Sequence, residues 1–114
     1  MIEPRTVSLE RDAVLSLIEI LGIMTDQLME GSMLTRWDPE QVVDLESRLT
    51  DAMNGSPIEL GIDDAALLLD GMAFTEIASA EFPWAEMVRW TSDFVTAELR
   101  SHWTDDEWRT YASR

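Results

Sequence analysis

The stretch GIDDAALLLDGMAFTEIASAEF, residues 61–82, decides the architecture that the sequence predicts. A helix is expected to begin at Asp63, because Ile62 and Leu67 have the spacing of a hydrophobic staple. At about 100° per residue, the large apolar side chains surround the helix axis. They are Leu67, Leu68, Leu69, Met72, Phe74 and Ile77. A helix that is apolar all round lies at the centre of a fold or in a subunit interface. Gly71 and the alanines would let a neighbouring helix approach closely.

An earlier helix is predicted over about residues 9–30, with Ser8 as its N-cap and Gly31 as the residue that ends it. Its apolar residues alternate spacings of three and four. They are Val14, Leu17, Leu21, Met24 and Leu28. Ile18 and Ile20 widen this face on both sides. So wide an apolar face predicts contacts with two neighbouring elements.

The next helix has a strong local start signal. Asp38 is the expected N-cap, Pro39 takes the first helical position, and Gln41 completes a start that resembles a capping box. Asn54 and Gly55 form the expected end. The inward-facing residues are Val42, Leu45, Leu49 and Met53.

A strongly amphipathic helix is predicted over about residues 83–101, after Phe82 and Pro83 break the preceding run. Its apolar face has two halves: Trp84, Val88, Val95 and Leu99 form one, and Met87, Trp90 and Phe94 form the other. The opposite side carries Glu86, Arg89, Asp93 and Arg100 at spacings suited to local ion pairs. Glu98 breaks the pattern, because it projects into the apolar half near Thr91.

A short last helix is predicted from the segment TDDE, Thr104 to Glu107, which has the spacing of a capping box. Trp103 and Trp108 occupy the flanking staple positions. In the stretch HWTDDEWRTY, residues 102–111, every residue except the single histidine, His102, thereby has a structural role.

The competing interpretation of the same stretch is a metal site. Glu98 and His102 lie four residues apart on one helical face, and Asp105 or Asp106 follows one turn later. Two carboxylates and an imidazole can bind a divalent cation. A two-ligand spacing is weak evidence, however, and the chain has no second histidine. The capping box is therefore the preferred interpretation, and no cofactor is predicted.

The charge of the chain limits its partners. The chain has twenty-three acidic residues and eight basic residues, which are all arginines, and its net charge is −15. Such a surface repels nucleic acids and anionic membranes, so direct binding of either is not expected. The acids suit either adaptation to high salt or imitation of DNA phosphates for a basic partner. The absence of lysine favours salt adaptation, although a GC-rich genome would also deplete lysine.

Mimicry of DNA would use the middle third of the chain. Residues 38–70 hold nine acids against Arg48 alone. The carboxylates that would need phosphate-like spacing are those of Glu40, Asp44, Asp51, Asp63, Asp64 and Asp70.

Other catalytic or targeting signals are missing from the sequence. There is no Gly-rich phosphate loop, no GxSxG or HExxH motif and no cysteine. No apolar run reaches the roughly 20 residues of a membrane span, and the first residues do not resemble a signal peptide. A soluble cytoplasmic protein without enzymatic activity is therefore expected.

The sequence thus predicts a single all-α domain over residues 1–114. It would be a compact bundle of four helices with a short C-terminal fifth, a short flexible N-terminus at about residues 1–7 and no convincing strand. The apolar surface exceeds what four such helices can hide, so the expected function is that of an interaction or regulatory homodimer. The interface candidates are Leu15, Ile18, Ile20, Trp37, Leu69, Phe74, Trp90 and Trp108. A DNA-mimic inhibitor and a metal-dependent enzyme or sensor at Glu98 and His102 are the alternatives.

Overall fold

A computed structural model describes residues 2–30, 37–53, 57–78 and 81–113. Its elements, in chain order, are β1 (Arg5–Val7), α1 (Arg11–Met29), α2 (Pro39–Asp51), β2 (Ile58–Leu60), α3 (Ile62–Ala78), α4 (Ala85–His102) and α5 (Asp105–Ala112). The described part of the chain is mostly helical, at 74%, with five helices and a small two-stranded sheet. The predominantly helical fold is therefore confirmed.

Helix α3 is not buried on all sides as its all-round apolar pattern predicts for a central helix, because Ile77 is 80% exposed. It begins one residue before Asp63 and packs against α1, α4 and β2. A Cβ atom added at Gly71 would lie 3.2 Å from the Sδ atom of Met24 and 3.6 Å from Ile20. The missing side chain at Gly71 thus permits the close approach of α1 to α3.

Helix α1 packs against three helices, α2, α3 and α4. Its wide apolar face therefore has the several neighbours that the sequence predicts. The helix begins at Arg11 with Glu10 at the N-cap position, so the prediction of Ser8 as the cap is wrong by two residues. Helix α2 packs mainly against α1, and the predicted bundle of four helices is not confirmed.

The start of α2 follows the predicted local chemistry. Pro39 lies in the first turn, and the Asp38 backbone N–H donates to Oε1 of Gln41 at 2.9 Å. The helix ends at Asp51. The predicted stop signals at Asn54–Gly55, and at Gly31 after α1, lie outside the described residues.

Two short strands correct the prediction that the chain has none. Strand β1 pairs antiparallel with β2 in the register Arg5 to Leu60 and Val7 to Ile58. Val7 and Leu60 are fully buried, so the pair adds side chains to the core. The expectation of a flexible N-terminus at about residues 1–7 is therefore wrong for Arg5–Val7.

The capping box at the start of α5 is confirmed. The Thr104 hydroxyl accepts from the Glu107 backbone N–H at 3.1 Å, and Glu107 Oε1 accepts from the Thr104 N–H at 2.9 Å. Trp103 and Trp108 pack edge to face, with ring centroids 5.8 Å apart. Glu107 also binds Arg5 at 2.8 Å, which joins α5 to β1.

Among the described residues, buried apolar side chains from the five helices and both strands form a hydrophobic core. No helix in the described parts of the chain is both long enough and apolar enough to cross a membrane.

Candidate interaction surface

Only one half of the apolar face of α4 is buried. Val88, Val95 and Leu99 are at most 1% exposed and point into the core. Trp90 is 47% exposed, and Met87 and Phe94 are each 37% exposed. The amphipathic pattern predicts both halves, but the neighbouring elements cover only the first.

Helix α1 extends the exposed half of α4 sideways. Leu15 is 37% exposed and lines a groove between α1 and α4 together with Met87 and Trp90. The rings of Trp90 and Phe94 stack with centroids 5.7 Å apart and an angle of 9° between their planes. We name the surface formed by Leu15, Met87, Trp90 and Phe94 the aromatic ridge.

A second aromatic pair precedes α4. The rings of Phe82 and Trp84 stack with centroids 4.6 Å apart, and they are 50% and 43% exposed. The sequence pattern places Trp84 in the same half as Val88, which is buried, so this prediction is wrong. Trp84 is the N-cap residue of α4, and its backbone does not continue the helical geometry that the pattern assumes.

The exposure of these side chains is unusual because they are neighbours. Single apolar residues on a surface are ordinary, since a folded protein lacks enough polar atoms to cover itself. Large contiguous apolar patches, in contrast, are typical of interaction sites and ligand-binding grooves. Aromatic residues and methionine are also enriched in interfaces relative to other surfaces.

The charged side of α4 lies next to the ridge, and in helical projection Glu86 and Asp93 are its members nearest Trp90. Glu86, Arg89, Asp93 and Arg100 are all exposed. Their spacings predict local ion pairs, but within the described part of the chain none of the four forms a salt bridge. Arg100 instead lies over the ring of Trp108, 6.0 Å from its centroid. The charges of Glu86, Arg89 and Asp93 therefore face solvent.

The interface candidates from the sequence divide into three groups. Leu15 and Trp90 lie in the aromatic ridge. Ile18, Leu69, Phe74 and Trp108 are half-buried. Ile20 and Trp37 are 1% and 7% exposed inside a single chain, so they are unavailable to a partner and their candidacy is withdrawn.

The burial of Ile20 and Trp37 has a local cause in each case. Ile20 lies under α3, where Gly71 leaves room for it. The indole Nε1 of Trp37 donates to Oδ2 of Asp70 at 2.7 Å, which anchors the ring to α3. Trp37 was an interface candidate because of its position at a helix start, but it is a core residue.

The proposed metal ligands do not form a site. Nε2 of His102 lies 3.3 Å from Oε1 of Glu98, as the i,i+4 spacing predicts. Asp106 instead pairs with Arg109 at 2.7 Å, and Asp105 belongs to the first turn of α5. Among the residues that the structure describes, no three His, Asp or Glu side chains converge on one point. The geometry gives the metal hypothesis only two of the ligands it needs.

Several acids of residues 38–70 are engaged inside the protein. Arg48 binds Oδ1 of Asp64 at 2.7 Å and Oδ2 of Asp44 at 3.2 Å. The hydrogen bond with Asp64 is the main cause that raises the pKa of Arg48 above its ordinary value. Asp70 accepts the bond from Trp37. Asp44, Asp64 and Asp70 are thus partly neutralised or held by internal partners, which weakens the case for phosphate mimicry.

Comparison with protein-family models, with curated proteins and with solved structures finds no match to this chain. The most distinctive feature of the described surface is the aromatic ridge.

Proposed function

We propose that this protein is a non-enzymatic interaction or regulatory domain that acts as a homodimer through the aromatic ridge. The observation that supports this proposal is the solvent exposure of four adjacent apolar side chains, Leu15, Met87, Trp90 and Phe94. Removing such side chains from water on association stabilises the complex by about 25 cal/mol per Å² of apolar surface.

The ridge also has the composition of an interface centre. Trp is among the residues whose truncation most weakens protein complexes, and such residues lie in the middle of the contact surface. Trp90 is flanked by Met87 and Phe94 on its own helix and by Leu15 on α1. An apolar centre with a polar border is the usual anatomy of a protein–protein contact.

Light scattering at micromolar concentration tests the proposal. We expect about twice the chain mass of 13.0 kDa for the parent protein. Trp90→Asp should give a monomer with unchanged helix content, because the substitution places a charge at the centre of the contact.

Val43→Asp is the matched control. Val43 is exposed to the same extent as Trp90, 47%, but lies on α2, which packs mainly against α1. This variant should remain a dimer. A monomeric parent protein, or equal losses in the two variants, would contradict the assignment of the ridge.

A further inference from the structure

The charges beside the aromatic ridge indicate how two copies pair. Along the same edge of α4, Glu86, Arg89, Asp93 and Arg100 alternate in sign in chain order. All four are exposed, and no salt bridge within the described residues uses them. An edge with alternating, unpaired charges is complementary to itself when one copy is reversed.

We propose that the homodimer forms by antiparallel packing of α4 on α4 of a second copy, about a two-fold axis near residue 92. This inference rests on the proposed function. In an antiparallel pair about a two-fold axis perpendicular to the helices, the same edge of each helix faces its counterpart. A parallel pair would place this edge against the opposite edge of the partner's helix.

The axis position follows from the aromatic residues. With the axis at residue 92, Trp90 of one copy faces Phe94 of the other, and the stacked rings of the two copies interdigitate. The position directly opposite Arg89 then lies two residues from Asp93 of the second copy. This offset is about 3 Å along the helix axis. Glu86 has the same offset from Arg100 of the second copy, which would exchange its contact with the ring of Trp108 for this carboxylate. Arginine side chains span such an offset easily.

The two Asp93 carboxylates lie nearest the axis, and each is flanked by an Arg89 from the other copy. This arrangement predicts that neither charge at these positions can be reversed alone. Arg89→Glu would gather four acids at the axis, and Asp93→Arg would gather four arginines. Like charges placed opposite each other across an interface oppose association strongly.

Mixing the two reversed variants provides the test. Each of R89E and D93R alone should dimerise at least roughly tenfold more weakly than the parent, which corresponds to about 1.4 kcal/mol. The equimolar mixture should form a mixed dimer, because every contact at the axis then joins opposite charges. The double variant R89E/D93R should regain much of its self-association. Native mass spectrometry at about 0.15 M ionic strength separates these species, and circular dichroism checks that each variant is folded.

The control pair is R109E with D106R on α5. Both residues are highly exposed, at 77% and 87% of their side-chain surface, and they pair with each other within one helix. These variants carry the same net charges as the test pair, so any preference that arises from net charge alone would appear equally in both mixtures. We expect random mixing in the control.

The outcomes separate this inference from the proposed function. A monomeric parent protein overturns both. A dimeric parent whose R89E and D93R variants mix at random, or dimerise as well as the parent, overturns the antiparallel arrangement and leaves the ridge as an interface of another geometry. Preferential formation of the mixed dimer supports both.

Discussion

Glu107 both caps the start of α5 and joins that helix to β1. Its carboxylate accepts from the Thr104 backbone N–H within the capping box and also from Arg5 in β1. The hydrogen bond from Thr104 is the main cause that lowers the pKa of Glu107 below its ordinary value of 4.5, and the Arg5 charge adds to it. The charged carboxylate therefore stabilises the folded state. This stabilisation is present above the ordinary pKa of glutamate and is lost as the pH falls through the lowered pKa.

Glu107→Gln tests this linkage. The amide can still accept the bond from Thr104 but cannot carry the charge that binds Arg5. We expect the variant to be less stable than the parent at neutral pH, and the difference should shrink as the solution is acidified below about pH 4.5. Urea unfolding at a series of pH values measures it. A stability difference that stays constant down to pH 2 would show that the carboxylate charge has no part in the effect.

A buried hydroxyl near the ridge gives a second prediction at the residue scale. Thr91 is fully buried on α4, and its Oγ1 has no hydrogen-bond partner among the described residues. A buried polar atom without a partner costs about 1–3 kcal/mol. Thr91→Val keeps the shape and removes this cost, so it should raise the free energy of unfolding by on the order of 1 kcal/mol. Thr96→Val, on the same helix but half-buried, is the control and should change stability little. A loss of stability in Thr91→Val would mean that the hydroxyl is satisfied in solution.

At the scale of the helices, the two glycines of α1 and α3 have opposite roles. Gly71 lies where Met24 approaches to 3.2 Å of an added Cβ, whereas an added Cβ at Gly22 meets nothing within 4 Å. Gly71→Leu should destabilise the protein by at least about 1–3 kcal/mol, because overpacking would push α1 away from α3. Gly22→Ala should stabilise it by about 0.5–1 kcal/mol, since glycine in a helix interior costs conformational entropy. Thermal unfolding of both variants measures the contrast. Equal effects would contradict the close α1–α3 contact.

The helix starts could be predicted from the sequence, whereas the strands could not. The capping box at Thr104 and the start signal at Asp38 were predictable because they depend on residues within four positions of each other. Strands β1 and β2 were not, because three residues carry almost no periodicity and their pairing joins segments about fifty positions apart. A strand of three residues can be predicted from sequence only if the distant segment with which it pairs is already known.

The candidate site was predictable only in part, for a related reason. Periodicity gave the full apolar face of α4, including Trp90 and Phe94, but it could not say how much of that face the rest of the chain would cover. Burial depends on the width of the neighbouring helices and on where they cross. Trp37 illustrates the opposite error, since its contact with Asp70 on α3 buries a residue that its position at a helix start made an interface candidate.

On the scale of the whole molecule, the fold must remain compact despite its charge. The Cα radius of gyration is 13.6 Å, close to the roughly 13 Å of a compact domain of about 100 residues. A net charge of −15 opposes this compactness through self-repulsion, which salt screens. We therefore expect helix content and melting temperature to rise with KCl up to molar concentration, where the screening length falls to about 3 Å. Circular dichroism across this range measures both. Full helicity and an unchanged melting temperature at low salt would contradict adaptation to high salt.

Salt should act on the proposed dimer in the same direction and more steeply. Two copies with the same large negative charge repel each other at long range. The proposed two-fold axis also brings the α1 edge of the groove, with Asp12 and Glu19, towards the same acids of the second copy. The attraction between Arg89 and Asp93 weakens with salt, but it is confined to a few contacts, whereas the repulsion involves the whole chain. We expect the dissociation constant measured by sedimentation to fall as KCl rises from about 0.15 M to 1 M.

Asp12→Asn with Glu19→Gln should tighten the dimer at low salt and make its dissociation constant less dependent on salt. The same neutralisation at Asp105 and Asp106 on α5 should have a smaller effect. A dimer that weakens as salt is added would show instead that attractive ion pairs dominate the contact, and the apolar ridge would lose its place as the main source of affinity.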